Sequence, residues 1–573
     1  MQPVTRREWL PREGAPEGVQ RLVDSSIPAL EARILANRGI VDPEVADLFL
    51  CPALKALHDP MTLTGMPAAV ERLAQAVSRG ETVCVHGDYD VDGVTSVALL
   101  ISFFEEIGLN AFPYIPKRLT EGYGLSDLGV EAARVRGTAV MVTVDCGISS
   151  VAEALLCRGA GIDLIVTDHH APPETLPDAY AVINPHQTGC QYPFKELAGV
   201  GVAFNLLVAL RARLRRDGHF PPGKEPDLRR YLDLVALGTI ADVVPLLGLN
   251  RVLVSYGLKE LTAEKRVGIK ALKEVSGATG EVGCGAVGFR LAPRLNAAGR
   301  LEDAALGLKL LLTEDPDQAR EIAQQLDDSN AQRQALERAM LEEARQMLTS
   351  GAYKGRKSIV LASEEWHPGV IGIVASRIAE MFHRPVVLFA LQNGAGRGSG
   401  RSISRFHLLD AIRECEEHLV RFGGHSHAAG LSIEESRLER FIEEFEAAAG
   451  RVLDDDLLTP RLYYDAEITP RDLDLALPER LERLKPFGMG NPEPLFLLRG
   501  ATVVSTRVLK GGHLKLDLSC GGKRLEAIAF GLAEREPAGN RLDLVFAPTV
   551  NVWNGRTRLQ LVVKDFREVA AAC

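Results

Sequence analysis

A histidine and three aspartates stand at alternate positions in Val83-Cys84-Val85-His86-Gly87-Asp88-Tyr89-Asp90-Val91-Asp92-Gly93. Alternate residues of an extended chain point the same way, so His86, Asp88, Asp90 and Asp92 can converge where the β-branched run ends. Carboxylates crowded together repel unless a cation lies between them. Hard oxygen ligands with one imidazole suit Mg²⁺ or Mn²⁺ better than a structural zinc. Taken alone, the segment also fits an acidic turn whose carboxylates are simply solvated.

Other segments repeat the pattern. Thr143-Val144-Asp145-Cys146-Gly147 ends a second β-branched run, and Ile165-Val166-Thr167-Asp168-His169-His170 ends a third. Farther on, Asp242 lies among apolar residues in Leu237–Pro245, where a lone aspartate is more often a helix cap or a solvated turn residue. Strands alternating with helical stretches imply a parallel sheet, and such sheets gather ligands outside the carboxyl ends of their strands. Three acidic or histidine-bearing strand ends would then share one rim.

The elements that must position this rim follow from periodicity. Residues 1–60 read as short amphipathic helices and turns. Residues 61–310 alternate strand and helix (helix 67–79, strand 82–86, helix 93–107, strand 139–144, helix 149–158, strand 163–167), which predicts an α/β doubly wound domain. Asp315 and Pro316 open a helix uninterrupted by Gly or Pro until Gly351, about 50 Å of connecting helix within 311–350. Residues 351–455 predict a smaller α/β domain with a glycine-rich turn at 394–402. From 456 to 573 short alternating strands such as His513–Leu518 predict a small β-barrel, OB-like in size, of a kind that often binds single strands. Phe530, Phe546 and Trp553 are its aromatic candidates for base stacking, with core packing favoured for the phenylalanines.

Composition narrows the class. At 573 residues with 46% hydrophobic content, the chain is a multidomain globular protein. No apolar run approaches the ~20 residues that cross a bilayer, and the N-terminus lacks a signal-peptide core. Nine scattered cysteines without a C-x-x-C pair read as reduced thiols of a cytoplasmic protein. The net charge of −10 argues against general nucleic-acid affinity, yet a locally basic channel would suffice. The clusters Arg211, Arg213, Arg215, Arg216, Arg229, Arg230 and Arg290, Arg294, Arg300 are candidates, although arginine runs commonly form solvated helix faces.

Together HGDYDVDG (86–93), VDCG (144–147), VTDHH (166–170) and GTIADVVP (238–245) resemble the four motifs of the DHH phosphoesterase superfamily. GRGSGRS (396–402) and GGHSHAAG (423–430) resemble its DHHA1 substrate-binding domain, and LKPFGMGNP (484–492) resembles the linker into an OB domain. Order and spacing are similar to those of the superfamily's bacterial single-strand-specific exonucleases. The resemblance implies a DHH domain, a connecting helix, a DHHA1 domain and an OB-like barrel. It also implies two-metal phosphodiester hydrolysis with two Mn²⁺ or Mg²⁺ ions, one held by His86, Asp88 and Asp145, the other by Asp90, Asp145, His169 and Asp242. His170 would face the scissile phosphate as donor or general acid, so Asp145 and His170 are the catalytic candidates. Asp168 would orient an imidazole and Asp92 cap the helix that follows it. Arg294, Asn296, Arg300, Arg397, Ser399, Arg401 and His425 are the phosphate- or DNA-binding candidates.

The implied activity is 5′-to-3′ degradation of single-stranded DNA to 5′-mononucleotides in DNA repair and recombination, with a single-strand-binding protein and a helicase as partners. A DHH enzyme acting on short oligonucleotides or polyphosphate is the alternative, and a catalytically silent single-strand-binding scaffold is a second.

Overall fold

Near-continuous β-branched runs, apolar on both sides, suit strands covered on both faces, and the strands predicted at the rim take that form. The computed structural model describes residues 1, 6–118, 120–301, 304–349, 353–553 and 555–569; the side chains of Leu301 and Trp553 lie outside the described part, and with them the stacking expected of Trp553. The chain divides into two units, one comprising Pro11–Gly299, Asp303–Leu326 and Tyr463–Cys573, the other Met1–Leu10, Arg300–Glu302 and Asp327–Leu462.

The first unit begins with helices α1 (Pro16–Asp24), α2 (Ala29–Ala36) and α3 (Pro43–Leu50). Its sheet contains β1 (Val83–Gly87), β2 (Ala111–Tyr114), β3 (Val140–Val144), β4 (Asp163–Thr167) and β5 (Ala181–Ile183). All neighbours are parallel, in the order β2-β1-β3-β4-β5. In that order the chain leaves β1 in one direction for β2 and returns past it to β3, so the crevice for ligands opens at the β1/β3 switch point. Helices α4 (Val91–Glu106), α5 (Asp127–Val135), α6 (Gly199–Arg216), α7 (Leu232–Ala241), α8 (Gly248–Ala263) and α9 (Ala292–Leu301) follow. Of these, α4, α7 and the 199–210 stretch of α6 are almost wholly buried in the main core, while the last turns of α6 carry arginines to the surface.

The barrel of this unit, formed by the chain's last strands, is built from β12 (Phe496–Leu509), β13 (His513–Cys520), β14 (Lys523–Ala529), β15 (Arg541–Trp553) and β16 (Arg556–Glu568). The sheet runs β12-β13-β14-β16-β15, and pairing of β12 with β15 closes it. Leu514, Leu516 and Leu518 point inward at period two. Leu22, Leu35 and Phe49 of α1–α3 share the same core, which the separation of over 400 residues concealed in the sequence. Arg251 of α8 ties the region together. Buried over the Phe49 ring at 3.7 Å, it donates to the carbonyls of Phe49 (2.7 Å) and Leu484 (3.1 Å).

The long helix α10 (Pro316–Thr349) places Ile322 and Leu326 in the first unit's core and Met340, Ala344 and Leu348 in a core of the second. The second unit holds β6 (Ile359–Ser363), helix α11 (Ile371–Phe382), β7 (Val386–Gln392), β8 (Ala395–Arg401), β9 (Leu419–Gly424) and β10 (Ala428–Glu434), in sheet order β9-β10-β8-β7-β6. The short strand β11 (Ala466–Glu467) edges the barrel.

One expectation is corrected here. The glycine-rich segment is not a turn but strand β8, laddered to β7 on one side and β10 on the other. Its glycines alternate with Arg397, Ser399 and Arg401, and a Cβ at Gly398 would come within 2.5 Å of the Phe389 ring. Period two puts the glycines against the aromatic core and the polar side chains on the other face. Its backbone amides therefore serve the sheet, and only the side chains are available to an anion.

Candidate active site

The two strands at the switch point deliver the first carboxylates. Asp88 and Asp90 follow β1, and Asp145 follows β3 in a left-handed conformation (φ 59°), uncommon for a non-glycine residue. Oxygens of Asp88, Asp90 and Asp145 lie within 4.8 Å of one another. His169, after β4, brings its Nε2 to 3.2 Å from Asp145 Oδ1 and 3.5 Å from Asp242 Oδ2. Asp242 itself ends α7. Asp145 is the member common to both sides.

Asp88 Oδ1, Asp145 Oδ1, His169 Nε2 and Asp242 Oδ2 are buried without a hydrogen-bond partner. Buried polar atoms are normally satisfied; the Asp145 and Asp242 oxygens converge on His169 Nε2 while Asp88 groups with Asp90 and Asp145, and this donor set fits divalent cations. Burial first, then the neighbouring carboxylates, pushes Asp145 and Asp88 well above the ordinary range and Asp242 up to about 9. Burial also lowers His169 to about 4, leaving a neutral imidazole that can ligate. Hard oxygens and one imidazole suit Mn²⁺ or Mg²⁺.

Two expected roles change. His86 is fully buried and its Nε2 likewise lacks a hydrogen-bond partner, but none of the ligand clusters among the described residues includes it. Its ring stacks on Tyr114 at 5.1 Å, and a Cβ at Gly129 of α5 would sit 2.8 Å from its Nε2, so that edge faces the helix and not the carboxylates. Asp92 does not cap its own helix: Asp90 does, accepting from Gly93 N at 3.0 Å. Asp92 instead accepts from the amides of Gly199 (2.7 Å) and Val200 (2.9 Å) at the start of α6, where the positive end of the helix favours a carboxylate.

Asp168 orients an imidazole, and the imidazole is His170. Asp168 Oδ1 lies 2.7 Å from His170 Nδ1, and Oδ2 accepts the Ile148 amide at 2.9 Å. Burial opposes charge on both, but their hydrogen bond outweighs it, holding Asp168 below the ordinary range and lifting His170 to about 9. Periodicity did not mark Tyr123, which stands in a Glu-Gly-Tyr-Gly turn after β2. Its hydroxyl reaches the Asp145 carbonyl at 3.1 Å and the His170 ring nitrogens at 3.2 and 3.4 Å.

The anion-binding candidates divide. Arg294 and Asn296 lie on α9, which presses so close that a Cβ at Gly299 would be 2.8 Å from the Tyr89 carbonyl. In the second unit, Arg401 is held by Ser376 Oγ (3.1 Å) and Ser399 Oγ (3.0 Å), beside Gly372 in the first turn of α11. Arg300 donates to the carbonyl of Gly369, just before that turn (3.2 Å). Arg397 is exposed on the same strand face, and His425 is exposed in the β9–β10 turn, its amide donating to Ala428. Arg213, Arg215, Arg229 and Arg230 are paired with Glu71, Glu225, Asp227 and Glu106, a solvated face as their sequence pattern allowed.

Comparison with known proteins adds a second line. Residues 82–239 match the DHH family N-terminal domain, 355–451 the DHHA1 domain and 464–565 the RecJ OB domain. The single-stranded-DNA-specific exonuclease RecJ of Dickeya dadantii is 41% identical, over 94% of this chain and 96% of that protein. The crystal structure of RecJ with Mn²⁺ from Thermus thermophilus superposes with a TM-score of 0.83 at 35% identity, covering 99% of this chain and 80% of that one. Its Mg²⁺ complex gives 0.78 at 34% identity, covering 99% and 79%.

Proposed function

Because the chain belongs to the RecJ family and is a metal-dependent nuclease, we propose that it degrades single-stranded DNA from the 5′ end. The products would be 5′-mononucleotides. The observation that carries this reading is the group of orphaned atoms of Asp88, Asp145, His169 and Asp242. In this reading Asp88, Asp90 and Asp145 hold one ion, and Asp145, His169 and Asp242 the other. When bound, the two ions activate the attacking water and neutralise the phosphate oxygens.

The chain's own groups do the remainder. Asp168 holds the His170 ring, and the charged imidazole donates a hydrogen bond and then a proton to the departing 3′ oxygen. The arginine and serines beside α11 receive the terminal phosphate as bidentate, charge-assisted partners, and the barrel holds strand beyond the reacting end. We place the activity in the cytoplasm, in DNA repair and recombination, where a helicase and a single-strand-binding protein would present unpaired strand.

Turnover with Mn²⁺ on linear single-stranded, circular single-stranded and duplex DNA, an oligoribonucleotide and polyphosphate tests this. Rapid loss of the linear single strand alone is expected. Preference for polyphosphate or short ribonucleotides would overturn the reading, and so would equal cutting of circles.

A further inference from the structure

The His170 ring packs on His169 of its own strand end (centroids 4.5 Å) and makes two polar contacts, of which only one comes from that strand end. The first, from Asp168, fixes Nδ1. The second comes from Tyr123, which lies on the loop after β2, an element separated from β4 in the sheet by β1 and β3. Its ring meets that of His170 edge-on (centroids 5.7 Å, 75°), with the hydroxyl 3.2 and 3.4 Å from the ring nitrogens. The same hydroxyl donates to the Asp145 carbonyl at 3.1 Å. Asp145 has φ 59°, so the carbonyl that anchors Tyr123 belongs to the backbone turn that aims the shared carboxylate. The Tyr123 ring is half exposed, whereas its hydroxyl end is enclosed by Asp145 and His170. The Tyr123 ring also meets Tyr89 edge-on at 6.4 Å, and the Arg118 guanidinium lies over Tyr89 at 4.9 Å.

We propose that Tyr123 is a positioning residue that locks the His170 imidazole toward the leaving oxygen, using the Asp145 backbone as its anchor. An imidazole held by one hydrogen bond can still swing about that bond. A second contact from an element outside its own loop removes this freedom, and preorganised donors gain most of their effect from being fixed before the reaction. The hydroxyl is matched to this task because it donates to the Asp145 carbonyl while its oxygen rests beside the charged ring, leaving Nδ1–H to Asp168 and Nε2–H to the departing oxygen. The inference rests on reading His170 as the donor to the departing 3′ oxygen.

The test compares two 5′-phosphorylated oligothymidylates, one natural and one with sulfur replacing the 3′ bridging oxygen of the first linkage. A thiolate departs with little need of a proton donor. With Mn²⁺, Tyr123→Phe should lower kcat on the natural strand about 10- to 100-fold, the usual cost of losing a group that orients a reacting one. KM should be unchanged, and kcat on the sulfur strand should be nearly normal. His170→Asn should show the same selectivity, and Tyr123→Phe/His170→Asn should be no slower than His170→Asn alone. Mn²⁺ affinity of Tyr123→Phe, measured by titration, should equal that of the parent.

If His170→Asn is selective but Tyr123→Phe loses equally on both strands, Tyr123 does not act through His170 and the inference fails alone. A tenfold drop in Mn²⁺ affinity would also overturn it, moving the effect to Asp145. Equal losses for His170→Asn on both strands would instead remove the reading of His170, and the inference with it.

Discussion

The carboxylate of Asp92 accepts the amide of Gly199 at 2.7 Å across 107 residues of chain, and Gly199 touches the site on its other side as well. A Cβ there would lie 2.7 Å from Asp145 Cβ and 2.8 Å from Asp145 Oδ1. The first residue of α6 thus holds Asp92 by its amide and leaves room for Asp145 by lacking a side chain. Gly199→Ala should therefore displace Asp145 while leaving the helix intact, because alanine favours helices. Mn²⁺ affinity and kcat should each fall about 10- to 100-fold, as when a group supporting a metal ligand is disturbed. A normal Mn²⁺ titration curve for this variant would show that Asp145 tolerates the shift.

Asp145→Ala removes the carboxylate that the proposed reading shares between the two ions. Cleavage should vanish while affinity for a labelled single strand stays within about threefold, since phosphate contacts and stacking dominate that affinity. Measurable turnover at saturating Mn²⁺ would contradict its shared position.

The acids of the site make the metal-free protein sensitive to alkali. Burial and mutual repulsion raise Asp88 and Asp145 well above their unfolded values and Asp242 to about 9, and the Asp168 hydrogen bond lifts His170 to about 9. Each raised group binds more proton when folded, so its contribution is present at low pH and is lost as pH rises through the folded value. His169, lowered to about 4, acts in the opposite direction, but only below about pH 6.5. Between pH 7 and 9 these groups therefore agree in sign. In EDTA the unfolding temperature should fall over that window, by an amount equivalent to about 1.4 kcal/mol per pH unit for each proton lost. Mn²⁺ should flatten the dependence, because a cation supplies what the protons supplied. An unfolding temperature in EDTA that is level from pH 7 to 9 would refute this account.

Where the chemistry is local, the sequence was legible. Asp88, Asp90, Asp145 and His169 could be placed on one rim because each follows a short apolar strand, and parallel strands share a carboxyl end. His86 stands apart from that group: the extended chain ends at Gly87, and the His86 ring packs between Tyr114 and α5. Asp92 and Gly199 could not be paired from sequence, since a cap joining helices 107 residues apart leaves no local signature. The glycines of β8 misled because three glycines in alternation read as a turn until Ile433, Phe389 and Leu408 are seen to occupy the space of their missing side chains. Nor does periodicity report that α1–α3 and the barrel share one core, because each segment is amphipathic by itself.

That shared core changes what can be asked of the barrel. Truncation after Thr459 would expose Leu22, Leu35 and Phe49 and strip Arg251 of its Leu484 partner, so loss of binding by such a fragment would report unfolding. Surface substitution is the cleaner route. Phe546 is wholly buried, whereas Phe530 is half exposed and packed edge-on against His513 at 5.1 Å. Phe530→Ala should weaken binding of a long oligothymidylate by ~1–3 kcal/mol, the contribution of one stacked base, with little change in unfolding temperature. Unaltered affinity would leave the barrel face around Phe530 outside the DNA path.

Arg401 offers the sharpest test of end recognition. Ser376 and Ser399 brace its guanidinium at 3.1 and 3.0 Å beside the first turn of α11, and Arg300 is fixed to Gly369 at the same place. A terminal phosphate carries more charge than an internal diester, so cationic side chains at a helix N-terminus should favour a strand end. Arg401→Ala should raise KM for a 5′-phosphorylated strand by the equivalent of ~1.5–3 kcal/mol, the worth of a charge-assisted hydrogen bond. It should change KM for a 5′-hydroxyl strand far less, and kcat on either should hold because the metal ligands are untouched. Arg401→Lys should recover only part of the loss, since a point charge cannot reproduce bidentate contact. Equal rises in KM on both substrates would move Arg401 from the strand end to the body of the DNA path.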